Sequence, residues 1–98
     1  MRVIASYGDS ATRDVHFGNN TPAARKLPRD IWPASQRKLN MIHAAHTLGD
    51  VSTPGNALEK LKGDLKGSYS IRINSQWRVV FDFGTNGQAT NVRIADYH

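Results

Sequence analysis

Asp96, Tyr97 and His98 stand together directly after the alternating run Val92-Arg93-Ile94-Ala95. A carboxylate, a phenol and an imidazole side by side can move protons, and proton transfer is what phosphodiester cleavage asks for. RNA carries its own nucleophile, the 2′-hydroxyl. An enzyme has to take that proton, return one to the departing 5′-oxygen, and steady the charge that builds on the phosphorane. Arginine and lysine meet the last need through charge-assisted hydrogen bonds. The sequence supplies Lys60, Lys62 and Lys66 in one segment and Arg72, Arg78 and Arg93 further on. Such a reaction needs no metal, and DNA, lacking the 2′-hydroxyl, has no route through it.

Each of these residues also has a plainer role open to it. A histidine in that position can be solvated, Tyr97 can be an aromatic at the edge of the core, and Asp96 can pair with Arg93 or Arg78. Arginines on a strand can be solvated charges that discourage edge-to-edge association. Spacing alone does not choose between these roles and chemistry.

Composition narrows the field. Lys and Arg number 13 against 8 Asp and Glu, a formal net charge of +5. That excess favours a polyanionic partner, and nucleic acid is the commonest. Cysteine is absent, which excludes disulfides, thiolate chemistry and zinc sites built on sulfur. The histidines are His16, His43, His46 and His98. His43 and His46 are spaced to share one side of a helix, but no acidic ligand stands near them, so neither a metal site nor any other cofactor is expected. No apolar run approaches the roughly 18 residues of a membrane span. The opening MRVIASYGDS has no apolar stretch of signal-peptide length. A cytoplasmic protein is expected.

The elements that would position these groups can be read from periodicity. Ninety-eight residues suffice for a single domain, 1–98, with one core. Residues 2–6 suit a short strand. Asp9 and Ser10 can cap a short helix through Phe17, which Gly18-Asn19-Asn20 would stop. Asp30 is the expected N-cap of a second helix over 31–47, with Pro33 in its first turn. Leu39, Ile42 and Ala45 give that helix one apolar stripe. Residues 51–68 read as a long basic connection, with Leu58 and Leu61 as its anchors. A loop of that length in so small a domain is more often functional than not.

The last third predicts a meander. Tyr69, Ile71 and Ile73 share one face, and so do Trp77, Val79, Phe81 and Phe83. Ser75-Gln76 and Asn86-Gly87 turn the chain, and a third strand follows over 90–95. The fold class is therefore α+β: two N-terminal helices on one face of an antiparallel sheet, the other face open to solvent and carrying Arg72, Arg78 and Arg93. If Val92 and Ile94 face the core, Asp96 and His98 share their side unless the strand ends first. It is expected to end near Ala95.

Two stretches, PGNALEKLKGDLKGSYSIRINSQWRVVF and VRIADYH, resemble HigB-type toxins of bacterial toxin–antitoxin pairs, within the RelE-like superfamily. RKLNMIHAAHTLGDVSTPG is similar to that family's second helix and following loop, so the likeness covers most of the chain from Gln36 onward. The resemblance implies a curved antiparallel sheet backed by helices, and a ribosome-dependent endoribonuclease that cuts messenger RNA in the ribosomal A site. It implies a HigA-type helix-turn-helix antitoxin as partner, and operator binding by the pair. By position it implies active-site roles for Asp96, Tyr97, His98, Lys62 and Arg78. The family pattern has histidine three residues before the lysine of LKGD; here Glu59 stands there, a candidate acid or base. Lys60, Lys66, Arg72 and Arg93 are the expected contacts to RNA phosphates. Two other readings use the same residues: a non-catalytic RNA-binding module, and a co-repressor subunit of an antitoxin.

Overall fold

The computed structural model describes residues 4–65 and 67–96. Helix α1 is Ser10–Phe17. The Asp9 side chain accepts the Thr12 amide, and Gly18 closes the helix at φ 76°, a left-handed turn that favours glycine. Helix α2 is Trp32–Ala44, shorter than its apolar pattern at both ends. Asp30 does not cap it. A 3-10 turn at Arg29–Ile31 runs straight into the helix, and Ile31 takes the cap position with no side-chain bond. At the other end the Asp50 carboxylate accepts the amides of His46 and Thr47. Those amides serve a new 3-10 turn, Leu48–Val51, through a capping box, so the helix cannot continue.

Four strands follow: β1 Glu59–Lys60, β2 Ser68–Arg72, β3 Trp77–Phe83 and β4 Ala89–Asp96. They form one antiparallel sheet in chain order. Two of these bounds correct the sequence reading. The connection 51–68 is not all loop, because Glu59 and Lys60 pair with Ser70 and Tyr69. The last strand does not stop at Ala95, because Asp96 still pairs with Trp77.

The N-terminal segment is not a full strand either. Ile4 and Tyr7 make isolated parallel bridges to Ala89 and Val92. Together with Ser6 they cover the free edge of β4, where Val92 donates to the Ser6 carbonyl and Gly8 to the Val92 carbonyl. Thr12 completes that edge by accepting the Ile94 amide on its hydroxyl at 2.8 Å. An edge satisfied in this way offers no ladder to a second chain.

The core lies between the helices and one sheet face. Val15, Leu39, Ile42, Ile71, Val79, Phe81 and Val92 are buried; from the connecting segment Leu58 packs against this core, while Leu61 is buried outside it. The other face is less open than predicted. Ser68, Ser70 and Val80 are buried there as well, since the Arg78 guanidinium folds back onto Ser70 and the Ser68 hydroxyl bonds the Asp82 carboxylate. Among the described residues no helix is long and apolar enough to cross a membrane.

Candidate active site

Directly paired residues on neighbouring strands point to the same face. One cross-strand row on the face away from the helices runs Glu59, Ser70, Val80, Arg93. The next runs Arg72, Arg78, Ala95. The sheet therefore brings four candidates together: Glu59, Arg72, Arg78 and Arg93. Arg72, Arg78, Asn74 and Ser75 line a shallow concavity of about 170 Å³.

Arg78 is the best-held group in it. Its Nε–H donates to Ser70 Oγ at 2.8 Å, and its Nη2–H to the Ala57 carbonyl at 2.5 Å. Ser70 is fully buried, so the serine is a fixed support. Ala57 sits at φ 45°, ψ 54°, a left-handed conformation uncommon for alanine, and this turns its carbonyl towards the arginine. A guanidinium fixed on two sides presents its charge in one fixed plane, a geometry suited to phosphate. Arg93 is steadied by its own strand, donating to the Asn91 carbonyl at 2.7 Å.

Three candidates, Lys60, Lys62 and Asp96, lie elsewhere. Lys60 pairs with Tyr69, on the opposite side of β1 from Glu59. It lines a second concavity of about 300 Å³ with Leu61, Lys62 and Gly63, just beyond the sheet edge. Asp96 pairs with Trp77 and so has the parity of the core side. Its carboxylate accepts the Gln76 side-chain amide at 3.0 Å. This follows from the strand continuing past Ala95: each further residue flips face. Tyr97, His98 and Lys66 lie outside the described residues.

Sequence reasoning missed Asn56, Ala57 and Ser70. Alternation with Tyr69 and Ile71 puts Ser70 on the outer face, but nothing in its type marks it as a support. The Pro54-Gly55 turn marked the loop, yet nothing in the residue types signals that an alanine adopts a left-handed conformation there.

The described residues form a helix-backed antiparallel meander whose outer face brings Glu59, Arg72, Arg78 and Arg93 together. The chain resembles in fold a chain of the YoeB–YefM complex from Staphylococcus aureus, with a TM-score of 0.60 at 20% identity and 97% of each chain covered. A second solved structure, a heterotetrameric YoeB–YefM toxin–antitoxin complex from the same organism, agrees with a TM-score of 0.59. The sequence narrows the class. The family model described as the RelE-like toxin of the type II toxin–antitoxin system HigB matches residues 2–98, and the chain belongs to that family. Toxin HigB-1 of Vibrio cholerae serotype O1 is 43% identical over 71 residues, which is 71% of this chain and 74% of that protein. Endoribonuclease HigB of Proteus vulgaris is 36% identical over 61 residues, 62% of this chain and 65% of that protein.

Proposed function

We propose that this chain is a ribosome-dependent endoribonuclease, the toxin of a type II pair, which cuts messenger RNA in the ribosomal A site and so stops translation. The observation that carries the reading is Arg78, clamped by Ser70 and Ala57 in the same sheet face as Glu59, Arg72 and Arg93. The family and the Proteus vulgaris relative's name supply the reaction class.

The chemistry follows from the groups present. The 2′-oxygen attacks the adjacent phosphorus, the 5′-oxygen leaves, and the products are a 2′,3′-cyclic phosphate and a 5′-hydroxyl. Arg78 and Lys62 stabilise the phosphorane charge. Glu59, a carboxylate where the family pattern has histidine, is suited to accept the 2′-OH proton. His98 is the group suited to return a proton to the leaving oxygen, and Tyr97 to stack on or orient a base. Asp96, bonded to Gln76, is better suited to hold the 73–77 hairpin in shape than to move a proton. Lys60, Lys66, Arg72 and Arg93 bind RNA phosphates. The ribosome presents the messenger already oriented, which compensates for a sparse set of acid–base groups. The partner that restrains this activity is a HigA-type antitoxin, and the pair binds operator DNA through the antitoxin. The work is cytoplasmic, where translating ribosomes are.

Primer extension on a messenger in a reconstituted translation reaction tests the reading. Intact protein should give cuts within the A-site codon, and Arg78→Ala and a form lacking His98 should lose them while remaining folded. Naked RNA should be cut poorly or not at all. Ribosome binding without cuts would make the chain a non-catalytic RNA-binding module; ready cutting of naked RNA would remove the ribosome from the mechanism.

A further inference from the structure

We propose that Asn56 is a positioning residue for Arg78, pegging the corner from which Ala57 aims its carbonyl at the guanidinium. This rests on the reading of Arg78 as the phosphate-stabilising group.

Asn56 lies in an otherwise exposed turn, residues 52–57, yet it is fully buried. Buried amides are tolerated when their hydrogen bonds are made, and this one makes them across three segments. Its Nδ2–H donates to the Val51 carbonyl at 3.0 Å, which closes the loop on itself. The same nitrogen lies 3.9 Å from Met41 Sδ. Its Oδ1 accepts from Lys38 Nζ at 2.5 Å, which ties the loop to α2. The backbone then reverses. Asn56 donates to the Thr53 carbonyl and Ala57 to the Pro54 carbonyl, and Ala57 enters its left-handed conformation. Its carbonyl is thereby turned from the loop to Arg78 Nη2.

Two residues on, Glu59 pairs with Ser70, the residue that holds the other side of Arg78. The corner at Asn56 thus precedes both the carbonyl that orients the arginine and the strand that carries the carboxylate. A side chain that touches no RNA group would set the relative placement of two that do. Without the peg, Ala57 has no reason to keep a conformation alanine disfavours. Arg78 would keep its bonds to the Ser70 hydroxyl and carbonyl and lose the shorter one to Ala57 that holds Nη2 from the other side.

Two variants test this. Asn56→Ala removes the peg. Ala57→Gly loosens the aimed carbonyl at a position glycine adopts readily, so the fold is kept even if the first variant proves unstable. The activity readout is single-turnover A-site cleavage at saturating toxin, measured alongside ribosome affinity. Cleavage should fall about tenfold or more in each, since small misplacements of reacting groups are costly, and affinity should stay within about twofold of the parent. In an Arg78→Lys background, where the guanidinium that the Ala57 carbonyl aims is already gone, Asn56→Ala should add little further loss. A merely structural role would give the same drop in both backgrounds and overturns the proposal.

A second readout needs no RNA. Solvent exchange of the Arg78 Nη2–H protons, the ones bonded to the Ala57 carbonyl, followed by NMR, should quicken in both variants. Unchanged exchange in both overturns the proposal, whatever the cleavage result. If exchange quickens but Arg78→Ala cuts at the full rate, the peg is real and the role given to Arg78 is what failed; Asn56 is then no positioning residue for cleavage.

Discussion

Arg78 shows why charge alone is not the relevant quantity at this site. A lysine there would keep the positive charge but could not bond Ser70 Oγ and the Ala57 carbonyl with the fixed plane of a guanidinium. Arg78→Lys is therefore expected to cut about 10–100-fold more slowly than the parent, with ribosome affinity little changed. Glu59→Gln should also slow cleavage, because an amide cannot accept the 2′-OH proton; rates equal to the parent's would take Glu59 out of the chemistry. Acidic residues away from the site set the low-pH limit of stability. The Thr21 hydroxyl bond holds the Asp14 carboxyl below its ordinary value of 3.8, with Arg13 adding to it and burial opposing. The amides of His46 and Thr47 lower Asp50 in the same way. A lowered folded value means that this stabilisation is complete above the unfolded value near 3.8 and drains away as pH falls through the folded one. Urea midpoints should hold steady down to about pH 5 and then drop. Asp14→Asn should lower stability near neutral pH and shrink that acid-side drop; an unchanged acid limb would sink the assignment.

At the scale of elements, legibility tracked how much each element owes to its own residues. Helix α1 was readable because Asp9 and Gly18 are local signals that do what their chemistry favours. The α2 stripe was readable because Leu39 and Ile42 face one core. Its ends were not, since the carboxylate that stops it sits six residues past Ala44, at Asp50. Strand β1 was invisible for the same reason: Glu59-Lys60 has no alternation of its own and is a strand only because β2 offers it an edge. The site followed suit. The face carrying Arg72, Arg78 and Arg93 was deducible from period two, whereas the side taken by Asp96 hung on where pairing stops. Helix α2 also makes a prediction of its own. Ser35 is fully buried in its first turn, and its hydroxyl finds no hydrogen-bond partner among the described residues. Ser35→Ala removes that desolvation cost and improves helix propensity, so it should stabilise the fold by roughly 1 kcal/mol. Leu39→Ala on the same face should cost about 2–5 kcal/mol. Thermal or urea melts of the two variants measure both, and a destabilised Ser35→Ala would mean that the hydroxyl is satisfied after all.

For the whole molecule, a surplus of five positive charges on a 98-residue chain makes encounter with RNA strongly salt-dependent. The affinity for ribosomes should fall steeply as salt rises, and removing Arg72 or Arg93 should flatten that dependence by roughly one phosphate contact each. Parallel slopes for parent and variants would place those arginines outside the contact surface. The edge of β4 has a different consequence. Ile4 and Tyr7 are bridged to Ala89 and Val92, and Thr12 is bonded to Ile94, so residues 4–12 are completed by residues that are made later, 89–94. While a ribosome is still making the chain, the opening segment and α1 lack the strand against which they settle. The sheet face that carries Arg78 cannot be finished either until β4 has emerged. A protein proposed to act on ribosomes would thus lack its finished active face while that face is still being made, and would be harmless to the ribosome making it until β4 has emerged.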